Sequence, residues 1–179
     1  DLCLLLVDAT EAVTRQDAHV GGYAWEAGRA VALVVNKWDL VEERAEARNR
    51  IEDEVARHLK FMRHAPTAFL SAKTGQGVQR LFPIMAGLSR AHRLKVGTSD
   101  LNKILHDAWQ RRPPPVEGRK EPKLYYSSQV RQAPPHFVLF SNLTRQPHFS
   151  YQRYLENTLR AALGLDGVPI RVIIKGRKR

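Results

Sequence analysis

The chain has 179 residues, 43% of them hydrophobic and 26% charged, with a formal net charge of +11. That balance suits one folded domain or two small ones and excludes a disordered polymer. The longest apolar runs, Leu2–Val7 and Ala30–Val35, are too short to span a bilayer, and the single Cys3 excludes a disulfide scaffold, so no membrane role and a cytoplasmic setting are expected.

In chain order, Leu2–Asp8 reads as a buried parallel strand closed by an acid. Thr14–Gly28 reads as a helix with Thr14 as cap and Gly28 as stop. Ala30–Asn36 is a second buried strand. Arg44–Phe61 carries Ile51, Val55 and Leu59 at a spacing of four on a charged helix, and Ala68–Ser71 is a third short strand. Val78, Leu81, Phe82, Met85 and Leu88 mark the apolar face of the next helix. Repeated strand–helix units of this length predict an α/β fold, a parallel sheet with helices on both faces, over residues 1–95.

The rhythm then changes. Thr98 or Ser99 can cap a helix carrying Leu101, Ile104, Leu105, Ala108 and Trp109, which must end before Pro113-Pro114-Pro115. Lys123–Val130 and Phe137–Ser141 read as strands. Ser150 reads as the cap of a helix with a stripe at Tyr151, Tyr154, Leu155, Leu159 and Ala162, and Val168–Ile174 as a last strand. The order α-β-β-α-β marks a separate small α+β domain, residues 96–179. Charge divides in the same place. Residues 1–97 carry 14 Lys and Arg against 12 Asp and Glu, net +2, whereas residues 98–179 carry 15 against 6, net +9. Such asymmetry points to a nucleic-acid partner for the second half, with a merely basic tail at Lys175–Arg179 as the plainer alternative.

Two motifs carry chemistry. Asn36-Lys37-Trp38-Asp39 directly follows one buried strand, and Ser71-Ala72-Lys73 directly follows the next. Either alone is a polar turn. In this order and at strand ends, they resemble the guanine-specificity elements of Ras-like GTPases. A carboxylate such as Asp39 can accept both adjacent donors of guanine, and adenine would leave it desolvated and unpaired. The resemblance implies that the Lys37 stem lies along the base, that Asn36 braces neighbouring loops, and that the Ala72 amide meets the guanine oxygen. Ser71 and Lys73 complete that candidate guanine-binding set.

The phosphate-holding elements are missing. No Gly-x-x-x-x-Gly-Lys-Ser/Thr string occurs, Gly75-Gln76-Gly77 lacks the lysine and reads as a turn, and no Asp-x-x-Gly precedes Leu2–Asp8. The expectation is the later half of a normally ordered P-loop GTPase domain, with the ligands of Mg2+ lying upstream and no catalytic residue in this stretch. No His, Cys or acidic grouping shows metal-ligand spacing.

Asp8-Ala9-Thr10-Glu11, Thr14-Arg15-Gln16-Asp17 and Asn36–Asp39 are similar to the second GTPase domain of the Der/EngA family. Arg112–Pro115, Pro134–Phe140, Tyr151–Asn157 and Asp166–Arg171 look like that family's C-terminal KH-like domain. The resemblance implies binding and hydrolysis of GTP to GDP, a preceding GTPase domain in the same chain, and a role in assembling the large ribosomal subunit through its rRNA. The only Gly-x-x-Gly string, Gly164–Gly167, carries an acid and reads as a helix stop rather than as the nucleotide clamp of RNA-binding KH domains. Surface cations are therefore the candidate RNA contacts: Arg153 and Arg160, which share a helix face with Asn157, and Arg171 and Lys175 on the last strand. The alternative is a non-catalytic RNA-binding or scaffold protein with a vestigial nucleotide fold.

Overall fold

The computed structural model describes residues 1–11, 13–115 and 121–176, so the basic run 177–179 lies outside the described residues. Two units are present, Asp1–His92 with Asp166–Pro169, and Arg93–Leu165 with the chain from Ile170 on.

The first unit is built on three parallel strands, β1 (Leu2–Asp8), β2 (Ala30–Asn36) and β3 (Thr67–Phe69), in the order β1-β2-β3. The register runs from Leu2 opposite Ala30 to Asp8 opposite Asn36, and Val35 stands opposite Phe69. β2 is buried at every position from Ala30 to Val35, because helices cover both of its faces. Val31, Leu33 and Val35 join Leu5, Val7 and Phe69 in a core closed by α1 (Arg15–Glu26) and by Ala47 and Ile51 of α2 (Arg44–His58). The other face is covered by α3 (Leu81–His92), which buries Leu88.

Thr14 caps α1 as expected. Its hydroxyl accepts from the Asp17 amide at 3.2 Å, and the Asp17 carboxylate accepts from the Thr14 amide at 2.8 Å, a reciprocal capping box. α2 is shorter than its apolar spacing suggested. The chain leaves the helix at Leu59, and Lys60–Met62 forms a 3-10 turn. A three-residue turn puts Leu59 and Met62 on one side, and both are buried. β3 begins at Thr67 rather than Ala68 and ends before Leu70, whose amide still donates to the Val35 carbonyl at 2.9 Å.

The second unit runs α4 (Thr98–Arg111), β4 (Leu124–Arg131), β5 (His136–Ser141), α5 (Phe149–Leu163) and β6 (Arg171–Gly176). Its sheet has the order β4-β5-β6, antiparallel between β4 and β5 and parallel between β5 and β6. α4 buries Leu101, Leu105, Ala108 and Trp109, and α5 buries Tyr151, Leu155 and Leu159, each at the spacing of one helix face. The α-β-β-α-β order agrees with the sequence reading; several boundaries do not. α5 is capped by His148, whose Nδ1 accepts from the Ser150 amide at 3.3 Å, so Ser150 lies inside the first turn. Gly97, with no side chain to offer, precedes α4 in place of Thr98 or Ser99. β6 starts at Arg171 rather than Val168, because Pro169 cannot donate to a ladder. No helix of the described residues is long and apolar enough to cross a membrane. The fold is α/β, a parallel sheet with helices on both faces followed by a smaller α+β domain.

Candidate nucleotide-reading loops and basic surface

The parallel strands deliver three loops to their shared carboxyl end, where open α/β sheets bind ligands. Asn36 closes β2. Its backbone carbonyl accepts from the Ala9 amide at 2.9 Å, and its side-chain oxygen accepts from the Ala72 amide at 2.9 Å. One residue thereby ties together the loops after β1, β2 and β3. The Trp38 amide donates to the Leu70 carbonyl at 3.0 Å, and the buried Trp38 ring packs on Phe69 with centroids 4.5 Å apart. That apolar wedge fixes the Asn36–Asp39 turn against β3 from beneath.

Lys37 has left-handed backbone angles, φ 62° and ψ 31°, and its ammonium forms an ion pair with Asp8. Asp8 also accepts from the Thr10 amide at 2.9 Å and the Thr10 hydroxyl at 2.7 Å. The Lys37 ammonium, then those two donors, hold the Asp8 carboxyl down to about 2, and Asp8 in turn raises Lys37 above the usual lysine range. The Ser71 hydroxyl beside Asp39 holds that carboxyl below the usual carboxylate range, with the Lys73 charge adding to the effect. Asp39 is thus kept ionised with acceptors to offer. Ser71 is fully buried and also accepts from the Thr74 amide at 3.2 Å.

All six residues of the guanine set, Asn36, Lys37, Asp39, Ser71, Ala72 and Lys73, therefore stand on two neighbouring, cross-linked loops. One detail differs from the resemblance. The Ala72 amide is engaged by Asn36, so a base oxygen would have to share or displace that bond. Asp8 was missed as a site residue. Its signal was an acid closing an apolar strand, and only the register with Asn36 reveals its partner.

In the second unit, Arg153, Arg171 and Lys175 are exposed. Arg171 and Lys175 point to one side of β6 by strand alternation. Arg160 is a correction. Its side chain is only 7% exposed, and Nη1 donates to the Leu165 carbonyl at 2.7 Å, so it ties the end of α5 to the following turn and offers no RNA contact. Gly164, at φ 63°, ends the helix with its amide donating to the Arg160 carbonyl, and Leu165 is fully buried. This is the helix stop read from the sequence. Arg111 and Arg112, which the sequence reading did not place among the RNA contacts, come from the end of α4 to the same surface as Arg153.

Residues 1–91 match the family model of the elongation factor Tu GTP binding domain, and residues 95–175 match the KH-domain-like region of EngA bacterial GTPase enzymes, C-terminal. GTPase Der of Desulfitobacterium hafniense (strain Y51) is 44% identical over 175 residues, covering 98% of this chain and 40% of that protein. GTPase Der of Moorella thermoacetica is 43% identical over 180 residues, covering 100% and 41%. That of Staphylococcus carnosus is 41% identical over 177 residues, covering 99% and 41%. The chain thus spans about two fifths of the length of the curated relatives it matches. Among solved structures, it is similar to an Era variant of Aquifex aeolicus bound to GDP.AlF4-, with 14% identity, a TM-score of 0.43, and coverage of 97% of this chain and 64% of that one. Era in complex with MgGDPNP and nucleotides 1506-1542 of 16S ribosomal RNA is likewise similar, at 16% identity and a TM-score of 0.43, over 97% of this chain and 64% of that one. By its matches from end to end, the chain belongs to the Der, or EngA, family of GTPases.

Proposed function

We propose that this chain supplies guanine recognition and a basic RNA-contacting domain to a GTP-hydrolysing protein that acts in assembly of the large ribosomal subunit in the cytoplasm. The observation that carries the reading is the joining of Asn36–Asp39 to Ser71–Lys73 at the carboxyl end of adjacent parallel strands, with Asp39 kept ionised between them. An ionised carboxylate with a lysine stem and a neighbouring amide-rich loop fits the donor pair and flat face of guanine. The residues present do not fit the phosphates or Mg2+. Those would be held by an upstream part of the GTPase domain, and without them the 179-residue chain binds GDP more weakly than roughly 100 μM, about 5 kcal/mol, and hydrolyses no GTP. The second domain would meet rRNA through Arg153, Arg171 and Lys175. A non-catalytic scaffold is not favoured, because the family is one of GTPases.

The test is Asp39→Asn in the full-length protein, titrated with fluorescent GDP and its xanthine analogue. GDP affinity falls by about 2–4 kcal/mol, as for a broken charge-assisted pair, while the xanthine nucleotide gains. A folded variant with unchanged GDP affinity would show that this is not the base-reading loop.

A further inference from the structure

We propose that the groove between the end of α4 and the outer face of α5 binds the sugar–phosphate backbone of RNA. The inference rests on the reading that the second domain meets RNA, and it gives that contact a location. The groove has a volume of about 680 Å³, and among the described residues Arg111, Arg112 and Arg153 line it with no acidic side chain. None of the three forms a salt bridge among the described residues. Glu156, whose charged form Arg153 favours, offsets part of that positive charge from outside the groove lining, and an anion entering the groove relieves the repulsion left among the three guanidiniums.

Two of these arginines also lie over aromatic rings. The Arg112 guanidinium lies 5.4 Å from the centre of the Tyr154 ring, and that of Arg153 lies 5.2 Å from the centre of the Phe149 ring. A cation–π contact holds a guanidinium beside a ring while leaving N–H groups for phosphate oxygens. Tyr154 is itself fixed, since its hydroxyl donates to the Ala108 carbonyl of α4 at 2.9 Å. Phe149 is 59% exposed although it opens a helix that buries Tyr151, Leu155, Leu159 and Arg160. The Phe149 ring already carries Arg153 and meets the His148 ring with centroids 4.1 Å apart, so it anchors the edge of the groove. Asn157 adds an exposed carboxamide in the same groove, able to meet a ribose hydroxyl. The site thus does without a Gly-x-x-Gly clamp, since the string Gly164–Gly167 is a helix stop ahead of β6.

The experiment measures binding of a short fluorescent single-stranded RNA to the full 179-residue chain by anisotropy across a salt series. Circular dichroism checks the fold of each variant. Arg111→Glu with Arg112→Glu weakens binding about tenfold or more and makes the slope of log affinity against log salt shallower by about 1.4. The double lysine variant keeps the salt slope but loses affinity, because an ammonium does not stack as a guanidinium does. If Arg111→Glu with Arg112→Glu binds as the parent does while Arg171→Glu with Lys175→Glu loses affinity, the groove assignment is overturned and the RNA reading stands. If the parent chain binds no RNA even at low salt, both are overturned. Poly-glutamate binding as tightly as RNA, and losing as much in the double glutamate variant, would make the groove a site for acidic polymers and overturn its assignment to RNA.

Discussion

The Ala72 amide donates to the Asn36 side-chain oxygen at 2.9 Å, across 36 residues of chain. This bond sets the distance between the loops after β2 and β3 without help from any ligand. Asn36→Ala should leave β2 intact while freeing the later loop. Hydrogen exchange at the Ala72 amide should accelerate about tenfold or more, with a loss of global stability below about 1 kcal/mol. An unchanged exchange rate would mean that the loop is held by Ser71 and Gln76 alone.

Acid should dissolve the Asp8–Lys37 pair. The folded Asp8 carboxyl sits at about 2, below its ordinary 3.8, so its contribution is fully present above roughly pH 4 and fades as pH falls towards 2. The Asp8 side chain is 18% exposed and that of Lys37 55%, which screens the interaction and keeps the contribution of Asp8 to about 1 kcal/mol or less. Urea melts of Asp8→Asn should show that deficit near pH 6 and almost none near pH 2. A deficit independent of pH would assign the effect to the packing of the Asp8 side chain rather than to its charge.

Gly75 and Gly77 share the same left-handed angle, φ 79°, but not the same surroundings. A Cβ at Gly77 would fall 2.6 Å from the Phe69 carbonyl oxygen, a backbone atom that cannot swing away, whereas one at Gly75 meets nothing within 4 Å. Gly75→Ala should cost about 1 kcal/mol for conformation alone, and Gly77→Ala more than about 2 kcal/mol. Thermal melts of the two variants give the comparison, and equal costs would refute the crowding argument.

Arg160 and Arg153 stand on one helix and should behave oppositely. Arg160→Met strands the Leu165 carbonyl and should destabilise by about 1–3 kcal/mol, while Arg153→Met should stay within about 0.5 kcal/mol. Chemical denaturation distinguishes them. A neutral Arg160→Met would restore that residue to the surface.

What the sequence disclosed was local, and what it hid depended on chain meeting chain. The buried runs Leu2–Val7 and Ala30–Val35, and the motifs that follow β2 and β3, are contiguous stretches whose meaning survives without a partner. Thr14 was legible as a cap from its own side chain, and the Asp17 carboxylate that completes the box emerged in the structure. Arg160 was misplaced because helical spacing puts it on the face of Arg153, yet the turn after Gly164 folds back to offer it a carbonyl. Arg111 and Arg112 gain meaning only beside α5, which begins 37 residues after the latter. The Asp8–Lys37 pair likewise needs the parallel register before it can be seen.

Lys37 occupies a backbone conformation that an L-residue adopts at a cost of about 1–2 kcal/mol and that glycine adopts freely. A glycine there would make the turn easier to form, and it would remove the ammonium that reaches Asp8. The most stable version of this loop and the version that carries its charge are therefore different molecules, and any engineering for thermal resistance that relaxes position 37 trades one against the other.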